Sequence, residues 1–307
     1  LKDSLFERLY IRAFTGNGFY MEATSNGYGF WNRFSDIQVY QPSSSNAIFH
    51  IQKEFHDCWI DGVYGNAYGI GFRALGGSNW IIRNFHTVYQ KNTVYLDSTN
   101  QELKAFTFEN VVCDHNTQHC FYFKISAAIK YLTVRGTCFI SPPANYDLFY
   151  LETTGDWQIM QHCLFENNYL STTGNHRYIF NCNNPNVSFK YNQFLNNKIP
   201  SGSSGSYHNL FETADNRKTN SVINDQAYKT RSRGSNTLPS GQTSITFAHN
   251  LPRAPLHVDV SWKENIGDRR WWWSADDTNI TITISAPADQ DYSFSWVAEL
   301  NELLQYP

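Results

Sequence analysis

Apolar positions recur along this chain in short runs that alternate with polar ones, without the spacing of an amphipathic helix. A pattern of apolar residue, any residue, turn-former, then two apolar residues one apart begins at Phe6, Phe34, Phe55, Ile82, Phe108, Val134, Met160 and Phe189, with steps of 28, 21, 27, 26, 26, 26 and 29 residues. One copy reads Phe34-Ser35-Asp36-Ile37-Gln38-Val39. A strand alternates with period two, and the parity slips across the third residue of each copy, so the chain bends there. Asp, Asn or Gly at that place tolerates left-handed backbone. A second alternating run follows in each repeat, at 48–52, 94–97, 121–124 and 149–152. Short strands that recur with each near-constant step predict a solenoid. The expectation is an all-β fold, with a parallel β-helix of about eight rungs over residues 1–215.

The texture changes toward the end. Residues 216–236 are polar and read as a linker or crossing segment. From Thr237 onward, 244–247, 256–262, 280–284 and 292–297 alternate with period two. They predict a small antiparallel β-sandwich of four or five strands over 237–307.

Composition narrows the function classes. A net charge of −3 gives no general attraction to nucleic acid, and Lys229, Arg231 and Arg233 fall in the polar segment. No run of 18 apolar residues exists, so no membrane span is expected. The six cysteines form no CxxC pair and read as small apolar core fillers. The histidines are scattered without HExxH spacing, so neither metal nor cofactor is expected. The chain begins at Leu1 with no signal-peptide pattern, as a mature or trimmed fragment would.

Stacked rungs set equivalent residues ~4.8 Å apart, so chemistry on a solenoid comes in columns. Aligning the second runs sends Phe49, Val94, Phe121 and Phe149 inward. One outward column is then His50, Gly71, Tyr95, Tyr122, Tyr150, and the next is Gln52, Arg73, Asp97, Lys124, Glu152. Tyr95, Tyr122 and Tyr150 offer ring faces to sugars. Asp97 and Glu152 lie two rungs apart, about 9–10 Å, at or slightly beyond the upper end of the separation for an inverting acid–base pair. One would protonate the leaving oxygen and the other would activate water. Alternatively, Arg73 or Lys124 would neutralise a uronic acid while a base removes its C5 proton. The same columns also read as surface ion pairs and stacked tyrosines that stabilise without a ligand. Asp36 and Asp57 suggest a closer pair at the bend, where they equally serve turn chemistry. Asp61, Asp114 and Glu166 suggest a third column, and loops 41–46, 141–146 and 171–176 are long enough to wall a groove.

The repeat resembles the pectin-lyase-like right-handed parallel β-helix superfamily, which includes phage tailspikes and secreted pectate-lyase-like proteins. A further segment carries Gly241, Thr243, His249, Leu251, Pro255, Trp273, Thr283 and Phe294-Ser295-Trp296. It resembles the small module that follows such β-helices, with Asn250 standing where that module usually has Gly. The resemblance implies an extracellular or virion setting, a homotrimer, and a polysaccharide or cell-surface glycan as partner. The clustered calcium-binding Asp residues of pectate lyases are not intact here, nor are the Asn-Thr-Asp, Asp-Asp and Gly-His-Gly motifs of polygalacturonases. The expectation is therefore a tailspike-type polysaccharide depolymerase, hydrolase or lyase, with Asp97 and Glu152 catalytic. Its alternative is a non-catalytic glycan-binding or structural surface or tail-fibre protein.

Overall fold

The structure, a computed structural model, describes every residue except 1–2, 13–14, 23–28, 42–45, 54, 68, 100, 154–158, 172–175, 206, 212, 214–215, 217–218, 224, 227 and 301–307. The chain divides into two compact units, Leu1–Ala227 and Tyr228–Pro307. No described helix is long and apolar enough to cross a membrane.

The first unit is a parallel β-solenoid of about 7 turns. A 17-stranded sheet and an 8-stranded sheet form its walls. In the smaller sheet, Phe19–Glu22, Ala47–Lys53, Ile70–Ala74, Asn92–Asp97, Phe121–Ile125, Phe149–Thr153, Phe180–Cys182 and Tyr207–His208 stack in chain order. Inward positions of both walls make apolar columns. Phe34, Ile60, Ile82, Phe108, Val134, Phe165, Phe194 and Val222 are in register and buried. Phe49, Phe72, Val94, Phe121, Phe149 and Phe180 do the same from the opposite wall. Stacking puts like side chains one rung apart, so flat rings pair face to face, as in Phe165–Phe194 at 5.0 Å and 10°. All six cysteines are buried and free in this core, and burial pushes the Cys163 and Cys182 thiols up to about 12.

The register corrects the sequence alignment at three places. The column that holds Phe34 continues through Ile60, Phe165 and Phe194, where the sequence reading placed Phe55, Met160 and Phe189. The reason lies in the bends. Left-handed residues recur at every fifth position within a turn, as at Asn79, Asn84 and Tyr89, at Ala105, Asn110 and His115, and at Tyr131, Gly136 and Ser141. Neighbouring bends share the apolar, any, turn-former pattern, so a reading by pattern locks onto either one. Asp36 therefore lies beside Gly62, whereas Asp57 lies beside Asn79, whose amide donates to it at 2.9 Å. These two carboxylates occupy different bend columns and do not form a one-rung pair. Asp114 pairs with Val88 and Ile140, outside the column of Asp61 and Glu166.

The polar stretch 216–236 contains strand Ser221–Ile223, which pairs with Gln193–Leu195 of the solenoid. It also contains most of strand Arg231–Leu238, which pairs with Tyr292–Glu299 of the second unit. The polarity of Arg231–Leu238 reflects its place at a sheet edge, where alternate side chains face solvent. The second unit holds two three-stranded antiparallel sheets. Tyr292–Glu299 is central in one and Asn279–Ile284 in the other. Phe247 joins them, its ring 5.0 Å from Trp296 and 5.9 Å from Phe294. Trp271–Ala275 adds an edge strand outside the alternating runs picked out in the sequence.

Candidate functional site

Two outward faces of the solenoid gather side chains with chemistry. On the 8-stranded sheet, one column runs Tyr20, His50, Arg73, Tyr95, Tyr122, Tyr150, Asn181, His208. Arg73 thus belongs with the tyrosines and not beside Asp97, a correction of the sequence reading. Pairing Phe72 with Val94 and Ala74 with Leu96 keeps the core filled. It also seats Gly71 where a Cβ would lie 2.5 Å from the Thr93 carbonyl oxygen. The Arg73 guanidinium then sits 5.4 Å from the centre of the Tyr95 ring.

The neighbouring column is Asp97, Lys124, Glu152, one residue per rung. Each carboxylate is engaged inside the protein. Asp97 is buried and accepts from the Thr99 backbone N–H at 2.9 Å, from the Thr99 hydroxyl, and from Tyr95 at 3.3 Å. Lys124 Nζ lies 3.7 Å from it. Glu152 accepts the Tyr122 hydroxyl. Tyr95 and Tyr122 meet edge to face at 5.0 Å and 81°, and Tyr122 and Tyr150 are tilted by 59° at 5.3 Å. The rings interlock and do not form one flat platform. Burial, with Asp97 next in strength, pushes the Tyr95 phenol up to about 12, and burial followed by Glu152 raises Tyr122 further.

A group not anticipated from the sequence closes one end of this face. Asp147, its side chain wholly buried, accepts Arg177 Nε at 2.9 Å and Nη2 at 2.7 Å, Asn181 Nδ2 at 2.9 Å and the Tyr178 backbone N–H at 3.2 Å. Its own N–H donates to His119 Nδ1 at 3.0 Å, so the neutral ring carries its proton on Nε2. Burial pushes His119 down to about 4. The His119 ring lies flat against Tyr150 at 4.2 Å. Tyr146, in loop 141–146, meets the His119 ring edge to face at 5.1 Å. Of the other loops expected to wall a groove, 42–45 and 172–175 lie outside the described residues. Three buried polar atoms of the tyrosine column have no hydrogen-bond partner among the described residues: His50 Nε2, Arg73 Nε and Asn181 Oδ1. Only a column alignment at the correct register would have brought Asn181 and Arg73 onto this face.

The second face lies on the 17-stranded sheet. Its outward column runs Arg33, Trp59, Ile81, Thr107, with Ser35, Asp61, Arg83, Glu109 alongside. Trp31 projects from the adjoining bend at φ 55°. Trp31 and Trp59 are 49% and 40% exposed. Together they border a hollow of about 550 Å³. Of this face, the sequence reading singled out only Asp61 as a candidate. The signal available to it was Trp59 at an outward parity position on an otherwise regular strand.

No protein-family model matches the chain, and no curated protein matches it.

Proposed function

We propose that the solenoid is a glycan-binding module that works outside a cell or on a virion, with the tyrosine column as its binding face. The observation that carries this reading is the make-up of that column. From Tyr20 to His208 it contains no aliphatic side chain, and among the described residues three of its polar atoms are buried without a hydrogen-bond partner. Rings, amide and guanidinium in one line suit a hydroxyl-rich chain laid across the strands, with ring faces for C–H surfaces and the polar side chains of the column for hydroxyls.

Depolymerisation by Asp97 and Glu152 is the second reading, favoured by their common column with Lys124 between them. It weighs less because Tyr95, Thr99 and Lys124 already engage Asp97 inside the protein. A general acid or base must reach the substrate at hydrogen-bonding distance. The test is binding and product release on a panel of capsular, exopolysaccharide and pectic polymers. Saturable binding that Tyr150→Ala weakens, without release of reducing ends or unsaturated products, supports the module. Cleavage that both Asp97→Asn and Glu152→Gln abolish replaces it with the enzyme. Binding that Tyr150→Ala leaves unchanged moves the glycan off this face.

A further inference from the structure

The tryptophan hollow has the features of a site in its own right, independent of the tyrosine column. Its floor is the outward column from Arg33 through Trp59 and Ile81 to Thr107. That span covers three rung steps, about 14 Å by strand spacing. A second hollow of about 340 Å³ shares Trp31, Trp59 and Ile81 with the first and extends it toward Ala105 and Thr107. The trough is thus elongated along the direction in which rungs stack. The larger hollow falls within the usual size range of small-molecule sites.

Three observations define what fits it. First, two indoles stay substantially exposed at its border. Trp31 does so from one of the left-handed bends that recur along the solenoid. Second, the larger hollow is lined by two cations and two anions, Arg33 and Arg83 with Asp3 and Asp61. Within the larger hollow these formal charges cancel, and the smaller adds only Asp57, which accepts the Asn79 amide at 2.9 Å, so an anionic ligand gains no net attraction and a cationic one little. What they supply instead is a mixture of N–H donors and carboxylate acceptors. Third, two of the four are held in place. Arg83 is paired with Glu109 at 2.8 Å, and Asp61 accepts the Asn84 amide at 2.8 Å. Among the described residues no ion pair engages Arg33.

We infer that this trough binds an uncharged oligosaccharide, one pyranose ring lying against Trp59 with its hydroxyls shared between the arginines and the aspartates. A sugar is the ligand class with an apolar C–H face for an indole and a rim of hydroxyls that both donate and accept. A peptide or nucleotide of either charge sign would set its charge against one of the two pairs.

The test is titration of the full chain with maltohexaose, cellohexaose, xylohexaose and mannohexaose, with hexagalacturonate as the charged probe. Binding is followed by tryptophan fluorescence and by calorimetry. The expected result is saturable binding of at least one neutral hexamer, weakened about tenfold by Trp59→Ala and by Trp31→Ala. Trp59→Phe, which keeps a ring, retains most of it. Arg33→Gln and Asp61→Asn, which keep the shape, each weaken it. Melting curves that match the wild type establish that the variants are folded. The inference is overturned if none of the four neutral hexamers binds. It is equally overturned if binding survives both tryptophan replacements, or if hexagalacturonate binds more tightly than every neutral hexamer.

Discussion

On the 8-stranded sheet, Tyr95, Tyr122 and Tyr150 follow one another on successive rungs and interlock, and the hydroxyls of Tyr95 and Tyr122 are taken up by Asp97 and Glu152. On the 17-stranded sheet, Trp59 has Arg33 and Ile81 as its neighbours above and below, and a hollow remains beside its ring. Both faces are made in the same way, from outward positions repeated at each rung. What differs is whether consecutive residues match in size and kind. Like follows like on the first face, so rings fill the space between rungs. Unlike residues alternate on the second, and the mismatch leaves room for another molecule. A solenoid can therefore make a face whose rings already pack on one another and offer a ligand only their outer surface, or a face with a hollow beside its ring, without any change of backbone.

The sharpest way to break this contrast is at the closed end of the tyrosine face. Arg177→Ala leaves the buried Asp147 carboxylate without its bidentate partner, and the expected loss is about 2–3 kcal/mol in urea unfolding, since Arg177 is partly exposed and Tyr178 and Asn181 still donate. An unchanged midpoint would show that this end is not held by the pair. Next comes pH. His119 is depressed to about 4 in the folded protein from an ordinary 6.5, so its contribution is present above pH 6.5 and is lost as pH falls toward 4. Melting temperature should drop across that window, and His119→Gln should flatten the drop.

Smaller effects sharpen the comparison. Tyr122→Phe removes the hydroxyl that donates to Glu152 and should cost about 1 kcal/mol. Trp59→Ala should change stability by no more than ~0.5 kcal/mol, because an exposed ring beside a hollow gives up little packing. Equal losses from Tyr122→Phe and Trp59→Ala in the same denaturation series would erase the distinction between a face packed on itself and a hollowed one.

How much of this was written in the sequence depended on the kind of pattern. The near-constant repeat step and the inward rings gave the solenoid, because period-two burial and turn-formers are local signals. Tyr95, Tyr122 and Tyr150 were found together, and Asp97, Lys124 and Glu152 likewise, since their strands share the apolar–polar–apolar pattern that sets the register. Arg73 was misplaced because Ile70–Ala74 carries apolar residues on both sides of Gly71, and two registers satisfy the pattern. Asp147, Arg177 and His119 were missed because they sit in the connections between strands, where no period fixes the alignment.

The sequence by itself determined the strand alternation, the left-handed bends at Asp, Asn and Gly, the apolar columns and the change of texture near Thr237. Each follows from forces acting over a few residues. Only the tertiary structure decided which of two bends, five residues apart, stacks on which. With that it decided that Asp36 and Asp57 are separated and that Arg73 joins the tyrosines. It also decided that Trp31 and Trp59 border one trough with Arg33 and Asp61. Those outcomes rest on contacts between residues a full turn apart. There the choice of register is made by how well side chains of successive rungs fill the shared core.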